Sequence, residues 1–384
     1  MSRSTLPPTD IGLTPSRIRL ARQRRGLSKV ALASALRVTT RTVGKYETEG
    51  APAARASDIA AALDLPAEFF SRPEREAISP EQGFFRARRR VTATQLHSAR
   101  ATASMGIEMY EWLAERFALP AMVMPDLDDH SPADAAAALR SLWGRSSGPL
   151  PNLVQLSEAH GVRVLSLPVD TAAVDAFSLW QNDVPYAFLS MAKTAERSRF
   201  DLAHELGHLV MHSRVGVGAG GATDREIERE ADAFASAFLM PRNELLAYSS
   251  REPAVPEVLR LRTHFKVSAM AMTYSLRTAG RLTEWGYRQN CAHLAQQGFR
   301  AGEPGGMERE RSRVFATVFP MLRAQGVGVS EVCRELGLTP SELHGLTMGQ
   351  VAATVTAPAE PKRGAPATHP DETRRSRPTL RVVR

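Results

Sequence analysis

The chain has 384 residues, 43% of them hydrophobic, enough for two or three domains with real cores. A formal charge of +8 and a pI near 9.9 point to nucleic acid as a class of partner. Only Cys291 and Cys333 occur, in no C-x-x-C pair, which argues against a disulfide framework or a cysteine zinc site and suits a reducing cytoplasm; without a signal peptide or spanning apolar run, no membrane partner is expected.

After a flexible start (1–12), Pro15 to Gly26 reads as a basic helix closed by glycine. Ser28 then caps a short helix, Lys29 to Leu36, and Arg37-Val38 make a turn. Thr39 to Glu47 and Ala56 to Leu63 follow as a third and a fourth helix. Ile18, Leu27, Leu32, Ala33, Leu36, Val38, Val43, Ile59 and Leu63 supply a small core. The five arginines between Arg17 and Arg25 suit either DNA or a solvated face, and so does Phe84-Phe-Arg-Ala-Arg-Arg-Arg90, as a backbone contact or a linker.

The pattern L-S-x-x-x-L-A-x-x-L…V-x-x-x-x-V-x-x-Y-E resembles the XRE (Cro/repressor-like) helix-turn-helix family over residues 13–72. That resemblance implies double-stranded DNA as partner and places Thr39, Thr40, Arg41, Thr42 and Lys45 on or before the recognition helix. Arg41 suits a guanine edge, whereas Lys29, Thr40 and Lys45 suit phosphates or mixed contacts. The turn, often glycine in that family, is Arg37 here, which requires a strained left-handed residue. Half-site geometry makes a homodimer the expected state.

Residues 76–145 read as a helical linker region, with helices from Thr92 to Leu119 and from Ser131 to Trp143. Leu150 to Gly161 reads as a helix, Val162 to Val169 as a strand, and Ala176–Trp180 with Pro185–Met191 as a hairpin around Gln-Asn-Asp. An edge strand of such a sheet can hold extended substrate.

Phe200-Asp-Leu-Ala-His204-Glu205-Leu-Gly-His208 follows. In a helix the two histidines share one face, so both rings can reach one ion, while Glu205 projects to the side, towards a water the ion activates. The surrounding Leu202, Ala203, Leu206, Leu209 and Val210 bury the helix, where three ionisable groups are costly unless paired or metal-bound. Zinc needs a third protein ligand. His212 lies about 12 Å along the helix from His204, too far to share the ion, and reads as a helix-end residue favoured by the dipole. A second helix, capped by Thr223 or Asp224 and halted at Pro241, offers Glu226, Glu228 and Glu230. Glu228 with Asp232 gives one ligand and one carboxylate to hold a histidine N–H. Glu226 and Glu230 read better as a solvated face beside Arg225 and Arg229.

Arg199-Phe200-x-Leu-Ala-His204-Glu205-Leu-Gly-His208, Glu228-x-Glu-Ala-Asp232-x-Phe-Ala-x-x-Phe-Leu-Met-Pro241, Asp175-Ala-Phe-Ser178 and Pro185-Tyr-Ala-Phe-Leu-Ser190 together resemble the ImmA/IrrE bacterial metallopeptidases. The resemblance implies a compact gluzincin-like α+β domain, zinc on His204, His208 and Glu228, Asp232 behind a ligand, and Glu205 as the catalytic carboxylate. It also implies cleavage of repressor-like proteins.

Helices are expected at Val255–Phe265 and Ser268–Thr278, where His264 and Tyr274 could polarise a carbonyl, although a structural role suits each better. The expected organisation is a helix-turn-helix domain (13–75), the linker region, a zinc-peptidase domain (146–285), a helical C-terminal region (286–350) and a disordered, basic, weakly nucleic-acid-seeking tail (351–384). The fold class is therefore multidomain: all-α, then α+β, then helical. The leading function is a cytoplasmic DNA-binding regulator with a zinc endopeptidase. The alternatives are a regulator whose metallopeptidase-like domain senses a ligand or partner without cutting, and a housekeeping peptidase that docks protein through its first domain.

Overall fold

The computed structural model describes residues 12–79, 83–87, 92–168, 174–212, 224–351 and 381–382. Most of the expected flexible start and of the basic tail, part of the 84–90 cluster, Val169 and the cap Thr223 lie outside the described residues.

The first four helices are α1 (Pro15–Arg24), α2 (Lys29–Leu36), α3 (Thr40–Tyr46) and α4 (Ala56–Leu63). The side chains of Ser28 and Thr39 cap α2 and α3 by accepting from the N–H groups of Ala31 and Thr42. Arg37 adopts the left-handed conformation the turn demands, with φ of 55°. Of the expected small core, Ile18, Leu32, Ala33, Leu36, Val43, Ile59 and Leu63 are buried, and Leu27 and Val38 pack against them.

The arginines of α1 behave as neither sequence reading supposed. Arg17 makes two 2.7 Å bonds to Glu108, Arg19 pairs with Glu76, and Arg22 pairs with Glu47. Arg24 and Arg25 share Glu342, at 3.1 Å and 2.6 Å. Arg17, Arg24 and Arg25 tie the domain to the rest of the chain, whereas the Arg22–Glu47 pair lies within it.

β1 (Gly83–Ala87) precedes α5 (Ala93–Ala114), β2 (Phe117–Ala118), α6 (Pro132–Leu142) and α7 (Leu153–Ala159). Next come β3 (Arg163–Leu167), β4 (Val174–Gln181), β5 (Val184–Ser190), α8 (Ala195–Met211) and α9 (Asp224–Leu239). α10 (Arg242–Tyr248), α11 (Val255–Phe265), α12 (Ala269–Thr278), α13 (Glu284–Gln296), α14 (Arg313–Ala324), α15 (Val329–Leu336) and α16 (Pro340–Leu346) complete the helices, and β6 (Arg381–Val382) pairs with β2. Two residues of the tail expected to be disordered are thus in a strand.

The main sheet has the order β1-β4-β5-β3, antiparallel except for the parallel pair β3–β5. The expected hairpin is β4–β5, and Asn182 and Asp183 both take positive φ, as a tight hairpin turn requires. Strand alternation splits the core in two. Leu165, Phe177, Leu179 and Phe188 face α5, the helix-turn-helix domain and α14–α16, whereas Val164, Ala176, Ala187 and Leu189 face α8.

Two sequence readings change here. The 84–90 cluster supplies an edge strand through Ala87, because β4 would otherwise leave its backbone groups unpaired. The stretch 76–145 is helical in large part but is not a spacer: α5 is mostly buried and joins the first domain to the sheet. Gly106 allows the close approach, since a Cβ there would lie 3.2 Å from Leu165 and from Phe188. Among the described residues no helix is long and apolar enough to cross a membrane.

Candidate metal centre and nucleic-acid interface

α8 begins at the cap Thr194 and lies across β4 and β5, with His204, Glu205 and His208 essentially inaccessible to solvent. α9 brings Glu228 alongside. The Nε2 atoms of His204 and His208 stand 3.0 Å apart, and Glu228 oxygens lie 3.5 Å and 3.4 Å from them. Donors about 2.0–2.1 Å from a tetrahedral ion stand roughly 3.3 Å apart, so this donor set fits zinc.

The outward nitrogens support the same fit. His204 Nδ1 lies 2.9 Å from Asp232 Oδ1, and an ionised carboxylate can only accept, so that nitrogen carries the proton. His208 Nδ1 contacts His212 Nδ1 at 3.1 Å, and His212 Nε2 contacts Glu230 Oε2 at 3.1 Å. With His212 donating to Glu230, His208 donates to His212. Both inner Nε2 lone pairs and Glu228 then converge as acceptors, an arrangement that a divalent cation satisfies. Burial pushes the His208 pKa down to about 4, which keeps that ring neutral.

Glu205 points towards the sheet. Ser178 on β4 donates to its Oε2 at 2.6 Å, while its buried Oε1 has no hydrogen-bond partner. Burial pushes the carboxyl up to about 7, reinforced by Glu228 and Asp201 and opposed by His204 and Ser178. A carboxyl with that pKa and an uncommitted oxygen is suited to taking and returning a proton near neutral pH.

Three roles were not legible in the sequence. His212 and Glu230 brace His208, so Glu230 is not merely part of a solvated face; Glu226 does lie at the surface, 3.8 Å from Arg229. Ser178, a residue of the Asp175–Ser178 motif, orients Glu205. Arg199, also in the motif, turns away from the histidines to bond Glu310 and the Pro151 and Leu150 carbonyls. His264 packs between Tyr248 and Phe265, and Tyr274 lines a mostly apolar cleft of about 670 Å³ beside Phe200, Asp232 and Met240.

In the helix-turn-helix domain, Lys29, Thr39, Thr40, Arg41 and Lys45 are exposed together around α2 and α3. Thr42 is half-buried and bonds the Thr39 hydroxyl at 2.8 Å. Lys29 reaches Glu47 at 3.3 Å.

Comparison with known families matches residues 18–70 to the model described as a helix-turn-helix and residues 157–277 to the peptidase-family model described as an IrrE N-terminal-like domain. The chain is therefore a fusion of an XRE-type helix-turn-helix domain, of the DNA-binding kind, with an IrrE-like metallopeptidase-family domain. A search of curated proteins finds no match.

Proposed function

We propose that this chain is a cytoplasmic transcriptional regulator whose metallopeptidase-like domain is a zinc endopeptidase acting on a repressor-like or other regulatory protein. The supporting observation is the acceptor-only convergence of His204, His208 and Glu228 beside the uncommitted oxygen of Glu205. When bound, zinc would supply Lewis-acid activation of water and of the scissile carbonyl. Glu205 takes the water's proton and returns it to the leaving amine, with Ser178 holding its other oxygen. Asp232 fixes the tautomer of His204, and the His212–Glu230 pair fixes that of His208. Lys29, Thr39, Thr40, Arg41, Thr42 and Lys45 form the DNA-contacting set, used by a homodimer on paired half-sites.

The Glu205→Gln protein tests this directly. It should retain zinc and DNA binding while cleavage of cellular proteins, followed by comparing proteomes with wild type, falls at least about a hundredfold. Cleavage at the wild-type rate with zinc bound would sink the mechanism.

A second reading, ligand sensing without cleavage, draws on the cleft between α9 and α12, because Asp232 both lines it and holds His204. It predicts that chelating zinc alters the DNA footprint although no cleavage product ever forms.

A further inference from the structure

The C-terminal helices repeat the geometry of the first domain at an offset of 300 residues. α2 spans Lys29–Leu36 and α15 spans Val329–Leu336; α3 spans Thr40–Tyr46 and α16 spans Pro340–Leu346. The residue between each pair, Arg37 or Gly337, is left-handed, with φ of 55° or 64°. Thr39 and Thr339 each cap the second helix by accepting from the N–H three residues on. The connecting hydrogen bonds coincide: Leu27 N–H to Arg22 O matches Val327 to Leu322, and Val38 to Ala33 matches Leu338 to Cys333. The buried positions coincide as well, with Leu32, Ala33, Leu36 and Val43 matched by Val332, Cys333, Leu336 and Leu343. Residues 313–351 thus contain a second helix-turn-helix.

Its surface is of the opposite kind. The positions of Lys29, Arg41, Thr42 and Lys45 hold Val329, Ser341, Glu342 and Gly345, so no cation stands where the first unit presents three. The helix matching the recognition helix also faces inward. Glu342 is buried and receives Arg24 and Arg25 of the first unit. Ser166 of β3 donates to the Gly345 carbonyl at 2.6 Å and accepts from the Met348 N–H at 2.7 Å. A Cβ on Gly345 would lie 3.1 Å from Pro168, and one on Gly337 would lie 2.8 Å from Phe69 Cα. Both glycines permit an approach to protein that a side chain would block.

We propose that residues 313–351 are a helix-turn-helix unit that binds protein in place of DNA. α16 grips the peptidase sheet through β3 and the DNA-binding domain through α1, and so couples the two. This does not depend on whether the metal site cuts peptide.

The full-length chain tests it, with a DNA duplex selected by the wild-type protein from a random-sequence pool. Arg41→Ala should weaken binding by between about fivefold and a hundredfold. Ser341→Ala and His344→Ala, at exposed positions of α16, should leave affinity and salt dependence within about twofold of wild type. A loss at either position matching that of Arg41→Ala would show the second unit reading DNA and overturn the proposal. No effect of Arg41→Ala would instead refute the DNA contacts of the first unit, a separate failure. Amide exchange tests the coupling: Glu342→Gln should speed exchange at least tenfold in α1, α16 and β3 together. Exchange confined to α16 would overturn it, and Arg25→Gln, at the half-buried end of the same ion pair, gives the same readout if Glu342→Gln does not fold.

Discussion

The helices α8 and α3 both start at a threonine cap, and they deploy their polar side chains in opposite ways. On α8 four polar groups turn inward, each with a fixed partner: Asp232 for His204, His212 for His208, Ser178 for Glu205 and Glu310 for Arg199. On α3, Arg41 and Lys45 stand in solvent. A site that must hold an ion supplies every contact from within the fold, whereas a site that meets DNA leaves its contacts for the partner to complete.

The largest expected effect that would break this contrast is at Arg199. Arg199→Ala leaves Glu310 buried without its partner and should cost about 3–5 kcal/mol in denaturant unfolding. Arg41→Ala, in the same assay, should change stability by no more than about 0.5 kcal/mol. Similar values for the two would erase the distinction. A smaller effect is expected behind the histidines: Asp232→Ala and His212→Ala should each weaken zinc binding about 10–100-fold, read by competition with a chromogenic chelator. Unchanged affinity in the His212 variant would remove it from the site. The smallest concerns the turn before α3. Arg37→Gly relieves left-handed strain while loosening the unfolded chain, for a net gain of about 0.5–1 kcal/mol, visible as a raised Tm. A lowered Tm would mean that the Arg37 side chain is needed there.

The local grammar of these elements was legible. Ser28 caps the helix expected after it, the helices expected to start near Thr39, Ser131 and Ser268 do so with those residues as caps, and His204 and His208 fall four apart on α8. Long-range pairing was not. Five arginines in a row of helix say nothing about Glu47, Glu108 or Glu342, which lie up to 318 residues away. The four-residue spacing that sets His212 beside His208 could not reveal that its other nitrogen meets Glu230, because that contact depends on where α9 delivers Glu230. The strand at 83–87 was hidden by its shortness and by the arginine run that follows it, and it pairs with the edge of β4.

Periodicity, caps and ligand spacing are properties of neighbouring residues, so the sequence alone determined the two functional helices and the chemistry each can carry. Which carboxylate meets which arginine, which oxygen of Glu205 stays uncommitted and which helix-turn-helix faces solvent depend on distances between remote segments. Packing sets those distances, so only the tertiary structure decided them.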